Sequence, residues 1–141
     1  MKRILLLILV SLFCTSTAVH AEQKKQLGSW DVHYIAFAAP MLTPEIAQQY
    51  KIQRSKYNAV VNISVLGSKT QQPEKVLISG IAKDIQGRQI ELDFREVTEG
   101  TAVYYLAQLP FRNEQRFNFS ITIVQNGQQQ LLNFDQTFYV D

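Results

Sequence analysis

A chain of 141 residues is too short for more than one ordinary domain, which excludes a cofactor domain beside a separate substrate domain. Its formal charge of +2 traces to Lys2 and Arg3, and residues 22–141 hold 12 basic and 12 acidic side chains without a block of one sign. That balance gives no general electrostatic case for nucleic acid or anionic lipid, and no nucleic-acid partner is expected.

Residues 1–21 read as a cleaved signal peptide. Lys2 and Arg3 form a positive start, Ile4–Phe13 is an apolar run broken only by Ser11, and Val19 and Ala21 suit cleavage after Ala21. The run is shorter than the roughly 20 residues that span a bilayer, so no stable membrane anchor is expected. Phe13 directly before Cys14 is a poor match to a lipidation site. Cys14 leaves with the signal, and the mature chain then has no thiol for a disulfide, a nucleophile or a thiolate metal site. The expected location is the periplasm, with residues 22–141 as one domain.

Glu22 to Leu27 is polar and reads as a loose lead-in. Trp30, Val32 and Tyr34 alternate with Asp31 and His33, which predicts a strand over 30–37. Pro40 ends it. Thr43 followed by Pro44 reads as an N-cap and first helical residue, opening a two-turn helix to about Tyr50 with Ile46, Ala47 and Tyr50 on one side. A strand over 57–66 then points Val61, Ile63 and Val65 one way and Val60, Asn62, Ser64 and Leu66 the other. Strands follow over 75–82, 88–97, 102–109, 116–125 and 129–140. Asn126-Gly127 is a strong hairpin signal, because both positions tolerate positive φ, and it predicts antiparallel pairing of the last two strands.

About seven half-apolar strands and one short helix predict an all-β fold. An immunoglobulin-like antiparallel β-sandwich buries such strands between two facing sheets. A partly closed barrel is the alternative arrangement.

No catalytic, cofactor-binding or metal site emerges from the residues. There is no H-E-x-x-H, glycine-rich phosphate loop, dinucleotide fingerprint or nucleophile elbow. His33 is the lone histidine of the mature chain, and a soft metal site wants several such ligands. Asp31 and His33 share a strand face. With Arg54 they supply the one catalytic alternative, a small envelope hydrolase or lyase, which needs a concave pocket holding all three. The candidate binding residues are Tyr34, Arg54, Asn62, Arg95 and Tyr104. Each aromatic can offer a flat contact, Arg54 can cap carbonyls, pair with a buried carboxylate or meet a ligand, Arg95 belongs to a charged strand face with Glu91 and Asp93, and Asn62 is a polar interruption in a strongly β segment. These features fit a non-enzymatic binding or accessory module whose partner is an envelope protein or a small ligand. An inhibitor or structural partner of an envelope enzyme is the other non-catalytic reading.

Several separated segments also carry a resemblance. DVHYIAF at 31–37, LTPEIAQQYKIQRSKYNAVVNISVL at 42–66, FREVTEGTAVYYLAQLPFRNE at 94–114 and FDQTFYV near the end follow one another in order. Together they resemble an exported proteobacterial family known as domain of unknown function 4426, across essentially the whole mature chain. The resemblance implies an exported β-rich domain. It implies no established activity, substrate or site residues.

Overall fold

The computed structural model describes residues 22–140, and the expected signal segment with Cys14 lies outside them. The described residues form nine strands: β1 (Gln23–Leu27), β2 (Trp30–Ala38), β3 (Asn58–Gly67), β4 (Leu77–Asp84), β5 (Gln89–Leu92), β6 (Arg95–Glu99), β7 (Ala102–Pro110), β8 (Gln115–Gln125) and β9 (Gln128–Phe138). A 3-10 turn at Ala39–Met41 leads into the one α-helix among them, α1 (Pro44–Gln49).

The strands make two sheets, ordered β1-β2-β3-β7-β6 and β5-β4-β8-β9, with antiparallel neighbours throughout. With β1 set aside, β2-β3-β7-β6 facing β5-β4-β8-β9 is the connectivity of an immunoglobulin-like sandwich. The expected architecture holds, with nine strands in place of about seven.

The two additional strands have separate causes. The lead-in Gln23–Leu27 is an edge strand whose side chains are nearly all exposed, so it shows no apolar alternation. It is held by pairing with β2 and by Lys25 Nζ, which donates to the Asn133 carbonyl at 2.7 Å. The segment expected as one strand over 88–97 is divided at Asp93-Phe94, where the chain crosses from the four-stranded to the five-stranded sheet. Leu92 is buried and Phe94 packs against the same core, so the alternation continues straight through the crossing.

Alternation fills the space between the sheets. Val32, Tyr34 and Ala36 of β2, Val61, Ile63 and Val65 of β3, and Val103, Tyr105, Ala107 and Leu109 of β7 face Phe117, Phe119, Ile121 and Ile123 of β8. Phe119 stacks on Phe134 with ring centroids 4.8 Å apart, and Phe138 meets Phe119 edge-on at 6.3 Å. Such offset and edge-to-face pairs add to simple area burial. The hairpin between β8 and β9 turns on Asn126 (φ 49°) and Gly127 (φ 78°), as its sequence predicts.

A second, smaller core lies on the opposite face of the five-stranded sheet. Ala39, Ala47, Ile52, Val60 and Leu106 are buried there, with Phe37, Leu42, Tyr50 and Val97 packed around them. The segment 39–54 covers this face because α1 starts firmly: the Ile46 amide donates to Thr43 Oγ1 at 3.3 Å, Pro44 takes a first-turn position, and Glu45 sits in the first turn. Ala47 is the buried residue of this short helix. The segment therefore forms a partial roof over one sheet face, and this roof defines the candidate site.

Candidate functional site

The outer face of a sandwich sheet is ordinarily polar. Here the register places apolar residues in adjoining rows across it. Ile35 of β2 pairs with Asn62 of β3, and Asn62 with Leu106 of β7. Phe37 pairs with Val60 in the next row, and Tyr104 of β7 with Val97 of β6. The roof shields only part of this surface. Between roof and sheet runs a groove of about 390 Å³, within the usual size range of small-ligand sites. Ile35, Asn62, Val97 and Leu106 contribute to its floor, and Leu42, Ile46 and Tyr50 to its roof. Glu22 lines it from the β1 side and Glu99 from the β6 side.

Asn62 is the polar exception on the apolar floor. Its Oδ1 is buried and has no hydrogen-bond partner among the described residues. A buried acceptor without a donor costs about 1–3 kcal/mol, so this position carries a penalty that a bound donor would remove.

Two contacts latch the roof to the edge strand. The Tyr50 hydroxyl donates to the Glu99 carboxylate, and Arg95 Nη2 donates to the Tyr50 backbone carbonyl. The hydrogen bond to Glu99, then burial, then the negative charge of Glu99 raise the Tyr50 hydroxyl above its ordinary value. Arg54 closes the roof from the other side. Its Nε donates to the Leu42 carbonyl at 2.8 Å and its Nη2 to the Pro40 carbonyl at 3.3 Å, joining the two ends of the segment that carries α1.

The five expected binding residues therefore separate into three groups. Asn62 and Tyr104 line the groove. Arg54 and Arg95 hold its roof through backbone carbonyls. Tyr34 lies inside the main core, its ring 4.6 Å from that of Phe134, and does not reach the groove. Its β2 parity is that of Val32 and Ala36, which already points it inward.

Asp31, His33 and Arg54 do not converge. Asp31 pairs with Leu66 near the start of β2 and accepts from Gln71 Nε2 at 2.8 Å. Arg54 bonds carbonyls beyond the far end of β2, more than seven residues away, or over about 20 Å of extended chain. His33 faces Glu22, with Nδ1 3.9 Å from Oε1, and its Nε2 is buried without a partner among the described residues. Asp31 and His33 share a face of β2 but do not pair, and each side chain meets a different neighbour. Among the described residues, no group of three or more His, Cys, Asp or Glu side chains is placed to hold a metal ion.

Sequence reading missed Glu99, Tyr50 and Leu106 as groove residues. A usable signal was present. Val60 and Leu106 occupy the parity opposite the main core, and such apolar residues call for a cover. The apolar side of α1 supplies it.

Comparison with known proteins places this geometry in a family. A family model described as domain of unknown function DUF4426 matches residues 24–141. The chain belongs to the DUF4426 family. A crystal structure of a DUF4426 family protein from Pseudomonas aeruginosa PAO1 is 32% identical, with a TM-score of 0.75 over 85% of this chain and 96% of that one. FetP of uropathogenic Escherichia coli strain F11, expressed recombinantly in the periplasm of E. coli BL21(DE3), is 8% identical with a TM-score of 0.59, covering 84% of this chain and 94% of FetP. A copper-bound single-substitution variant of FetP matches equally, at 8% identity and a TM-score of 0.59. At that identity the likeness to FetP is one of fold alone. No curated protein matches the sequence. No helix among the described residues of this DUF4426 chain is long and apolar enough to cross a membrane.

Proposed function

We propose that this DUF4426 chain is an exported, non-enzymatic binding module that holds a small, largely apolar ligand in the groove between α1 and the five-stranded sheet. The observation that carries the reading is the buried, unpartnered Oδ1 of Asn62 on an otherwise apolar floor. Apolar walls supply affinity without regard to orientation, and one well-placed polar atom fixes orientation. A ligand N–H or O–H directed at Asn62 would gain a desolvated hydrogen bond and relieve the penalty of the empty site. The signal-like residues 1–21 support export, as does the fold shared with FetP, which was itself expressed in the periplasm. The copper of the FetP variant is not carried over, because the likeness is limited to fold.

The test uses N-phenyl-1-naphthylamine, a neutral aromatic probe with one N–H, whose fluorescence rises in apolar surroundings. Val97→Trp fills the groove from the edge strand without entering the main core. The expected result is probe binding by the parent and about tenfold weaker binding by the variant, with unchanged circular dichroism. Equal binding by both proteins would remove the groove from the proposal.

A further inference from the structure

We infer that the ligand carries a primary ammonium group, received by Glu99 beside the rings of Tyr50 and Tyr104, with its apolar body lying along the groove floor. This rests on the binding-module reading and adds the charge and direction of the ligand.

The first ground is the sign of the charges that line the groove. Two carboxylates, Glu22 and Glu99, face it, and no Lys, Arg or His is among the described lining residues. The guanidinium nearest in the sheet, Arg95, is turned to the Tyr50 carbonyl. An anionic ligand would meet like charge at both ends of the groove, and a cation would meet complementary charge.

The second ground is the arrangement around Glu99. Tyr50 donates to Oε2 of this carboxylate, and an ionised carboxylate has further acceptor positions on both oxygens. Tyr104 stands opposite Val97, two residues before Glu99 on the same face of β6. Both tyrosine rings and Glu99 line the same groove. A carboxylate in an apolar groove beside two tyrosines suits an alkylammonium, because the carboxylate matches its charge and the apolar surroundings strengthen that attraction. An alcohol gains only part of this, and a carboxylate none.

The third ground is direction. From Glu99 the groove leads inward past Val97 and Leu106 to Ile35 and Asn62, from β6 across β7 to β3 and β2. Adjacent strands lie about 4.8 Å apart, and Glu99 is four residues, about 13 Å, along β6 from Arg95, which stands in the row of Leu106 and Asn62. An extended chain of eight carbons starting at Glu99 therefore covers roughly the first 10 Å of this diagonal and ends short of Asn62. Such a chain places its ammonium at the rim and its tail over apolar floor.

The experiment is titration calorimetry on the protein released from the periplasm after expression with its own leader. Four probes of one chain length are compared at neutral pH: octylammonium, 1-octanol, octanoate and 8-amino-1-octanol. The expected order places octylammonium about tenfold tighter than octanol, octanoate weakest, and 8-amino-1-octanol below octylammonium because its hydroxyl ends over apolar floor. Glu99→Gln keeps an acceptor for Tyr50 but removes the charge, and it should shrink the ammonium-to-alcohol ratio towards one. Added salt should shrink the same ratio in the unaltered protein, which tests the charge without any substitution. Octanol or octanoate binding as tightly as octylammonium would overturn the ammonium inference and leave the apolar groove standing. A ratio unmoved by both Glu99→Gln and salt would overturn it as well. Failure of all four probes to bind would overturn the binding-module reading itself.

Discussion

The Tyr50 hydroxyl donates to the Glu99 carboxylate, and this bond ties the end of α1 to the edge strand β6. The Tyr50 carbonyl is tied to the same strand by Arg95. A six-residue helix is far below the length that is stable alone, so such tertiary ties hold it in place. Tyr50→Phe keeps the ring and removes the hydroxyl tie. The expected outcome is several-fold faster amide exchange at Ala47 and Ile52, with the β8–β9 amides unchanged. Because the folded hydroxyl is raised above 10.0, its contribution is fully present below that pH and is lost as pH rises through the raised value. Exchange at Ala47 and Ile52 that is the same in both proteins would show that the hydroxyl does not hold the roof.

Asn62 sets stability against binding. Its Oδ1 is buried between Ile35 and Leu106 without a partner among the described residues. Asn62→Leu replaces the amide by an apolar group of similar size and removes the unmet acceptor. The free protein should gain about 1 kcal/mol or more, a rise in Tm of roughly 3–6 °C for a domain of this size. The same change should weaken N-phenyl-1-naphthylamine by about tenfold, since the buried hydrogen bond is lost. Thermal melts and probe titrations of one preparation check both halves. A lower Tm would show that the amide has a structural partner, and the groove would lose its orienting atom.

Both the architecture and part of the site were legible, for reasons visible in particular residues. Phe117, Phe119, Ile121 and Ile123 alternate without a break, so β8 and its buried face could be read directly. Asn126-Gly127 announced the last hairpin through backbone preference alone. The division between β5 and β6 was hidden because Leu92 and Phe94 keep their parity through the change of sheet, with no Gly or Pro to mark it. β1 was hidden because an exposed edge strand needs no apolar alternation. Asn62 stood out as a polar residue in an apolar segment. Tyr50 and Glu99 did not, because their meeting depends on the roof folding back over a strand 49 positions later in the chain. Asp31 and His33 misled for the opposite reason: closeness in sequence did not survive competition from Gln71 and Glu22.

Asp84 gives the fold a defined response to acid. It closes the turn between β4 and β5, where Oδ1 accepts from the amides of Gln86 and Arg88, each at 2.9 Å, and Oδ2 from Arg88 Nε at 3.2 Å. Burial acts to raise this carboxyl, but the Arg88 and Gln86 amides and the Arg88 charge outweigh it and hold the group below its ordinary value of 3.8. A carboxyl depressed on folding adds stability above its unfolded pKa and loses it as pH falls through the lower folded value. Asp84→Asn keeps one acceptor and removes the charge, so it should be less stable than the parent at neutral pH. The gap in Tm should close as pH falls below about 4, when the parent carboxyl also becomes neutral. Asp135, held low by bonds from Asn118 and Arg116, remains in the variant, which therefore keeps some loss of stability in acid. Melting curves of both proteins at pH 7, 5, 3 and 2 decide the matter. A gap of constant size across that range would mean that Asp84 contributes by shape and hydrogen bonding alone, with no part for its charge.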